Sequence, residues 1–425
     1  MDSFRLKKLN WNSPAKILAA LVLLAHGYSS PCLALSWEEV KSMARNSPRL
    51  KSAEADVSGA QSSLDAAKAV YYPKIYSTLE SSRSVDTELR KSSNAHSAAI
   101  SLQQNLFSFG KDSASVQSAD FYLEAARKSK AAASVTFRSE LAKAWASALY
   151  QDKLREISAK VVERRKANIQ IVRLRYNSGR ESKGSLLSTE YAGREASIDA
   201  REAQERSKLA RVRLSALAGS EIPADAPLVG TLTETSSLSA ETSAAKLPQV
   251  QAAAAKIEAA KAHQSELHKK HLPDLSLSAS AKKSANPDLP LNAPVYTAAL
   301  TLSVPLFDAR LSADERSAAA KLAGAEAELA AITTTAGHEL ESARLGLELA
   351  TERLESARLG FEAAKLQAEV SRQRYTLGLM SFQDWDSYES AFIKAENKML
   401  EQERVFAEAR ATYLESAGVS LEEGP

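Results

Sequence analysis

Between Pro305 and Pro425 the chain contains no proline, so nothing there forces the helix break that a fixed φ and a missing N–H impose. A heptad runs through this span. Leu340, Leu347, Leu354, Phe361, Ala368 and Tyr375 fall seven apart, and Ala336, Ala343, Ala350, Ala357 and Ala364 form a second stripe beside them. The spacing predicts one helix from Leu311 to Tyr375, roughly 100 Å long at 1.5 Å per residue. Alanine along a whole stripe gives up about 0.8 kcal/mol per missing CH₂, but it lets neighbouring helices approach toward the short end of the ~8–10 Å range. A rod of this kind requires close neighbours along its length.

The rod has a counterpart earlier in the chain. Lys111 to Tyr176 is also free of proline, with a seam of Leu141, Ala148, Val162, Ile169 and Tyr176 that Arg155 interrupts. Pro48, Pro73 and Leu106-Phe107 recur 200 residues later as Pro248, Pro273 and Leu306-Phe307, while Tyr176, Gly179 and Ser182 recur 199 later as Tyr375, Gly378 and Ser381. This is an internal duplication. Residues 35–218 and 246–418 are the two units, joined by 219–245, a Ser-, Thr- and Pro-containing linker or small surface subdomain, and followed by a tail, 419–425. Each unit reads as a helix, two strands, a long helix, a glycine turn and a returning helix. Ser36 and Glu39 have the spacing of a capping box at the first helix. Alanine-rich sequence then runs from Arg49 to Val70, and the first returning helix reaches about Leu217.

The expected strands are Lys74 to Asp86, Ala95 to Phe107, Asp274 to Ala281 and Tyr296 to Phe307, with the polar runs Ser81 to Asn94 and Asn286 to Pro294 as loops. Ile100, Leu102, Leu275, Leu277, Leu300, Leu302 and Val304 occupy one face of these strands. Ser, Thr and Asp occupy the other, and Gln104 is an exception. A wall between lipid and water requires such alternation, although one sheet of a soluble sandwich would show it too. Four strands cannot enclose a lumen, so a barrel would need several chains. The fold class is therefore mostly α with a β-barrel portion.

Residues 1–34 have the layout of an export signal: Arg5, Lys7, Lys8 and Lys16 precede the apolar run Ile17 to Ala25, and Cys32-Leu33-Ala34 offers a cleavage site. The run is too short to span a bilayer, which takes about 20 residues. Cys32 is the only cysteine, so no intramolecular disulfide and no paired-cysteine metal site exists. Pro31 weighs against acylation of Cys32 and favours cleavage after Ala34. Removal of residues 1–34 takes away four basic residues and Asp2, and the formal charge of +3 falls to zero. No basic surface for nucleic acid is implied.

The sequence carries only weak signals for chemistry. Gly179 to Ser185 begins like a phosphate-binding loop, but no lysine follows Gly184 and no strand precedes it. His263, His268 and His271 could share a helix face toward a metal, yet cationic side chains near a helix C-terminus are common. The expectation is no enzyme, no cofactor and no metal.

Leu35-Ser36-Trp37-Glu38-Glu39, Asn46-Ser47-Pro48-Arg49-Leu50, Tyr72-Pro73, Leu106-Phe107 and the Arg-Tyr-x-x-Gly turns at Arg175 and Arg374 occur here in an order and spacing that resemble the TolC-like outer-membrane channels. The resemblance covers nearly all of residues 35–425. It implies a homotrimer with a twelve-stranded barrel in outer-membrane lipid and a long α-helical barrel across the periplasm. An equatorial belt would be built from segments such as 219–245. The function it implies is a passive exit duct of a tripartite efflux pump or type I secretion system, working with a periplasmic adaptor protein and an inner-membrane transporter. Two other readings are a periplasmic coiled-coil adaptor and a structural envelope spacer without a lumen.

Under the resemblance, Tyr176, Gly179, Ser182, Tyr375, Gly378 and Ser381 belong to the periplasmic tip turns, and Asp384 matches a pore-facing aspartate. Read from spacing alone, Ser381 and Asp384 also fit a helix cap. The sequence departs from better-known relatives at three places. Ser387 stands where they carry a second aspartate, and Met380 and Ser185 stand where an arginine and an aspartate latch the tip. Closure is expected to use other contacts, with Arg180, Glu181 and Lys183 as candidates.

Overall fold

The computed structural model describes residues 35–86, 91–223, 226–233, 244–285 and 293–421. The expected leader, part of the linker, most of the 286–294 loop and the end of the tail lie outside them. The first unit comprises β1 (Leu35–Ser36), α1 (Trp37–Ala44), α2 (Pro48–Lys68), β2 (Lys74–Asp86), β3 (Lys91–Phe107), α3 (Lys111–Asn177) and α4 (Lys183–Ala218). After β4 (Leu228–Val229) the second unit follows with α5 (Pro248–Lys269), β5 (Asp274–Ala285), β6 (Val295–Ser303), α6 (Ala309–Thr376) and α7 (Phe382–Ser416). The long helices hold 67 and 68 residues, close to the sequence expectation.

Local chemistry explains the boundaries. Ser36 Oγ accepts from the Glu39 N–H while Ser36 N–H donates to the Glu39 carboxylate at 2.7 Å, a complete capping box. Pro48 and Pro248 open α2 and α5 at positions whose N–H needs no partner. The returning helices end at Gly219 and just before Gly418, with φ of 70° and 79°. A Cβ on either glycine would meet that proline, at 3.2 Å from Pro48 Cδ and 2.8 Å from Pro248 Cδ. Each unit is thus closed by a glycine packed on its own opening proline. Gly418→Ala is expected to cost more than about 1 kcal/mol, read as a lowered midpoint of thermal unfolding.

β2, β3, β5 and β6 form one antiparallel sheet in that order. The register aligns Ile75, Leu102, Ala279 and Ala298 in one row, and Leu277 with Leu300 and Leu275 with Leu302 in others. Cross-strand partners point to the same face, so the apolar residues of all four strands make one continuous surface. Ile100, Leu300 and Leu302 are more than 60% exposed there. Gln104 lies on this face too, and its amide donates to the backbone carbonyls of Tyr71 and Asn105 beside a bulge at the strand end.

Three strand limits differ from expectation. β2 and β3 pair through Asp86 and Lys91, and β5 runs on to Ala285, because ladder hydrogen bonds are made by backbone and persist through polar side chains. At the other end β6 stops at Ser303, opposite Asp274, where β5 begins; among the described residues Val304 and Pro305 have no partner strand. Val304 therefore lies beyond the sheet rather than within it.

The helices pack in pairs. α3 touches α2, α4, α5 and α7, whereas α6 touches chiefly α5 and α7. On α6 the alanine stripe is the buried one: Ala336, Ala343, Ala350 and Ala357 are buried, with Leu354, Ala368 and Tyr375 from the other stripe. The α3 seam differs from expectation. Leu141 and Ala148 are buried, but toward the far end burial passes to Arg165, Asn168 and Val172, and Tyr176 is exposed. Different helices cover α3 at different heights, so no single stripe serves its whole length. Midway, Val40, Ala44, Leu141, Ala148, Leu149, Leu214, Ile222 and Leu232 form the main core. β1 and β4 pair in parallel over it, and the buried Arg211 donates to the carbonyls of Pro223 and Ala226. Part of the 219–245 segment is thus fastened to the body.

Candidate functional site

The two glycine turns lie together at the end of the helices opposite the sheet. Both are Schellman motifs: Gly179 and Gly378 have φ of 72° and 80°, and the next residues, Arg180 and Leu379, donate N–H to the carbonyls of Arg175 and Arg374 at 2.8 Å. Ser182 and Ser381 then cap the returning helices through the N–H groups of Ser185 and Asp384. Leu377 and Leu379 project outward, each 74% exposed.

Tyr375 is the centre of the site and has no exposed surface. Its ring stacks on Trp385 at 4.4 Å between centroids and 3° between planes, with Phe382 edge-on. From the first turn, the Arg175 guanidinium lies 4.5 Å from the Tyr375 ring centroid and donates to the Tyr375 carbonyl at 2.7 Å. The Tyr375 hydroxyl in turn donates to Glu181 at 2.9 Å. Arg175, Tyr375 and Glu181 thereby clamp one hairpin to the other. Burial, followed by the Glu181 hydrogen bond, pushes the phenol well above its ordinary value of 10.0, so it remains a donor at neutral pH. Because the folded value is the higher one, the phenol's contribution is complete below about pH 10 and is lost as pH rises beyond it.

Behind the clamp, α3 and α7 are joined by charge. Arg165 pairs with Asp386 at 3.1 Å and reaches Ser390, and Arg164 lies 3.7 Å from the buried Glu389 and over the Phe392 ring. Asp386, the acid beside Ser387, is thus committed to Arg165. Asp384 is exposed in the first turn of α7, bonded to Ser381 Oγ at 2.7 Å. Ser185 bonds Ser182, and Met380 packs on the Tyr375–Trp385 cluster. Of the three closure candidates, Glu181 is the one in the clamp. In the sequence Arg175 stands out only as part of the Arg-Tyr pair repeated at both turns, and Trp385 carries no signal of its own.

The histidines lie elsewhere, near the sheet. His263 faces Glu266 at 3.2 Å, and His268 and His271 both face Glu315, at 3.3 and 3.4 Å. Among the described residues no group of three or more His, Cys, Asp or Glu side chains is gathered to hold a metal, and no helix is long and apolar enough to cross a membrane.

A one-faced apolar sheet on a duplicated helical rod with paired tip turns is a distinctive combination, and the family model described as outer membrane efflux protein matches twice, over residues 40–220 and 240–418. The chain belongs to the outer membrane efflux protein family. Its place is the outer membrane and its role is efflux. No curated protein sequence matches the chain. Among solved structures it is similar to the outer membrane protein VceC of Vibrio cholerae, with 21% identity, 90% of this chain and 96% of that one covered, and a TM-score of 0.76. It is also similar to the Campylobacter jejuni CmeC outer membrane channel (15% identity, 90% and 85% covered, TM-score 0.78). The open-state Neisseria gonorrhoeae MtrE outer membrane channel gives 18% identity, 90% and 88% coverage and a TM-score of 0.78. These likenesses concern the fold.

Proposed function

We propose that three copies of the chain close a twelve-stranded barrel and a helical tube that conduct substrate passively from an inner-membrane transporter, with a periplasmic adaptor docked near the tip. The observation that carries this reading is the sheet. Its apolar face is continuous over four strands, and its outer strands, β2 and β6, have no further partner among the described residues. An open edge invites pairing with another copy, and a closed barrel satisfies every backbone group in lipid.

Two rows of helix residues supply matching surfaces. Leu345, Leu359, Leu366 and Val370 lie exposed on the side of α6 opposite its alanine stripe, with Leu349 exposed on the flank. On α4, Leu187, Tyr191, Ile198, Leu209 and Val212 are exposed along one face. Packed against a neighbouring copy, these rows would complete the tube. Conduction needs no bond-making residue, and the protein in this reading is not an enzyme.

At the tip, the Arg175–Tyr375–Glu181 clamp holds the hairpins together, and Asp384, repeated three times about the axis, places negative charge in the passage and favours cations. Planar-bilayer recording of the purified protein tests the whole reading: discrete channels are expected, and a folded trimer that conducts nothing would refute it. Asp384→Ala is expected to reduce cation over anion selectivity in the same recordings. Unchanged selectivity would remove Asp384 from the constriction.

A further inference from the structure

The clamp within one protomer has an incomplete copy on its other side. Arg374 occupies in the second turn the place that Arg175 occupies in the first, and Tyr176 the place of Tyr375. Their surroundings are opposite. Tyr375 is fully buried under Arg175, while Tyr176 is 37% exposed and Arg374 is exposed. The Tyr375 carbonyl accepts from both Gly378 N–H and Arg175, and the Tyr176 carbonyl accepts from Gly179 N–H, with no arginine on it among the described residues.

The helix packing fixes where the missing half must come from. Within the protomer, the long helix of the first hairpin, α3, lies against the returning helix of the second, α7. Applied once more around a ring, the same relation sets α6 against α4 of a second copy. Those are the two helices whose apolar rows are exposed. Resting on the closed-ring reading above, we infer that Arg374 seats on the ring and carbonyl of Tyr176 of the partner subunit, repeating the Arg175–Tyr375 joint at every protomer boundary.

The repeat is unequal at three positions: Trp385 and Phe382, which flank the Tyr375 ring, correspond to Leu186 and Lys183, and the third is the acid. Glu181, which accepts the Tyr375 hydroxyl at 2.9 Å, corresponds to Met380, which cannot accept a strong hydrogen bond. The boundary joint therefore has the arginine and the tyrosine but neither the acid nor the stacked aromatic. It is the weaker of the two, and the tip parts first between protomers rather than within them.

Cross-linking in outer membranes tests the contact. The full-length Tyr176→Cys/Arg374→Cys variant, treated with a short bis-maleimide, is expected to give covalent dimers and trimers, and neither single variant is expected to do so. A trimer by native mass that yields no covalent links would overturn the joint and leave the exit-duct reading standing. A chain that is monomeric by native mass would overturn both.

Conductance separates a joint from mere proximity. Arg374→Ala is expected to raise it, and adding Tyr176→Ala to that variant should change it little further. Additive effects of the two substitutions would sink the contact. Arg175→Ala is expected to raise conductance by a larger factor than Arg374→Ala, since it breaks the stronger joint, and the reverse order would overturn the ranking.

Discussion

Replacing Tyr375 with alanine is expected to release the tip and to raise single-channel conductance several-fold. The substitution removes the ring that stacks on Trp385 and receives Arg175, together with the hydroxyl that reaches Glu181. Truncating a buried aromatic costs roughly 3–5 kcal/mol, enough to weaken local packing as well as the clamp. Tyr375→Phe separates the two effects. It keeps the stack and loses the hydrogen bond, a loss of about 1–3 kcal/mol when a charged acceptor is left behind. Glu181→Gln should act in the same direction with a smaller effect. Conductance is the measurement for all three. If Tyr375→Ala lowers thermal stability yet leaves conductance at the wild-type value, the cluster is structural and the clamp does not gate the passage.

The second large effect is expected at the sheet. Leu300 lies on the apolar face, opposite Leu277, and is 67% exposed. Arginine on the lipid side of a barrel costs about 2–4 kcal/mol near the bilayer midplane and little near the interfaces. A trimer carries that cost three times. Leu300→Arg is therefore expected to deplete assembled trimer from outer-membrane fractions, whereas Thr301→Arg, one residue on and facing the other way, should assemble normally. Quantifying heat-modifiable trimer on gels distinguishes the two. Equal depletion would mean that the apolar face does not meet lipid.

Much of this architecture is legible in the residues alone. The proline-free heptads specify two rods, the alternation specifies one apolar face, and the landmarks repeated 199 to 200 residues apart specify a duplication. Strand ends were less legible. Ser81 to Asn94 looks like a loop because its side chains are polar, yet the ladder is made by backbone groups and continues to Asp86 and from Lys91. Val304 continues the alternation in sequence but has no strand opposite it. The α3 seam is not legible in the heptad for a related reason, since burial there follows whichever helix lies alongside at that height.

At the tip, sequence determined the turns, the caps and the absence of the usual latch residues, because each depends on neighbours within a few positions. Glycine at 179 and 378 is required by φ, and serine at 182 and 381 by an orphan N–H. It could not determine which residues meet across the hairpins. Arg175, Glu181 and Tyr375 come from segments 194 to 200 residues apart, and only the packing of α3 against α7 brings them within hydrogen-bond distance. The same packing buries Tyr375 and exposes Tyr176, two residues with matching motifs and opposite surroundings. Local sequence thus specified the parts of the paired turns, and the packing of the helices set which of two equivalent tyrosines is buried in the clamp, because burial and partner are properties of the neighbour rather than of the motif.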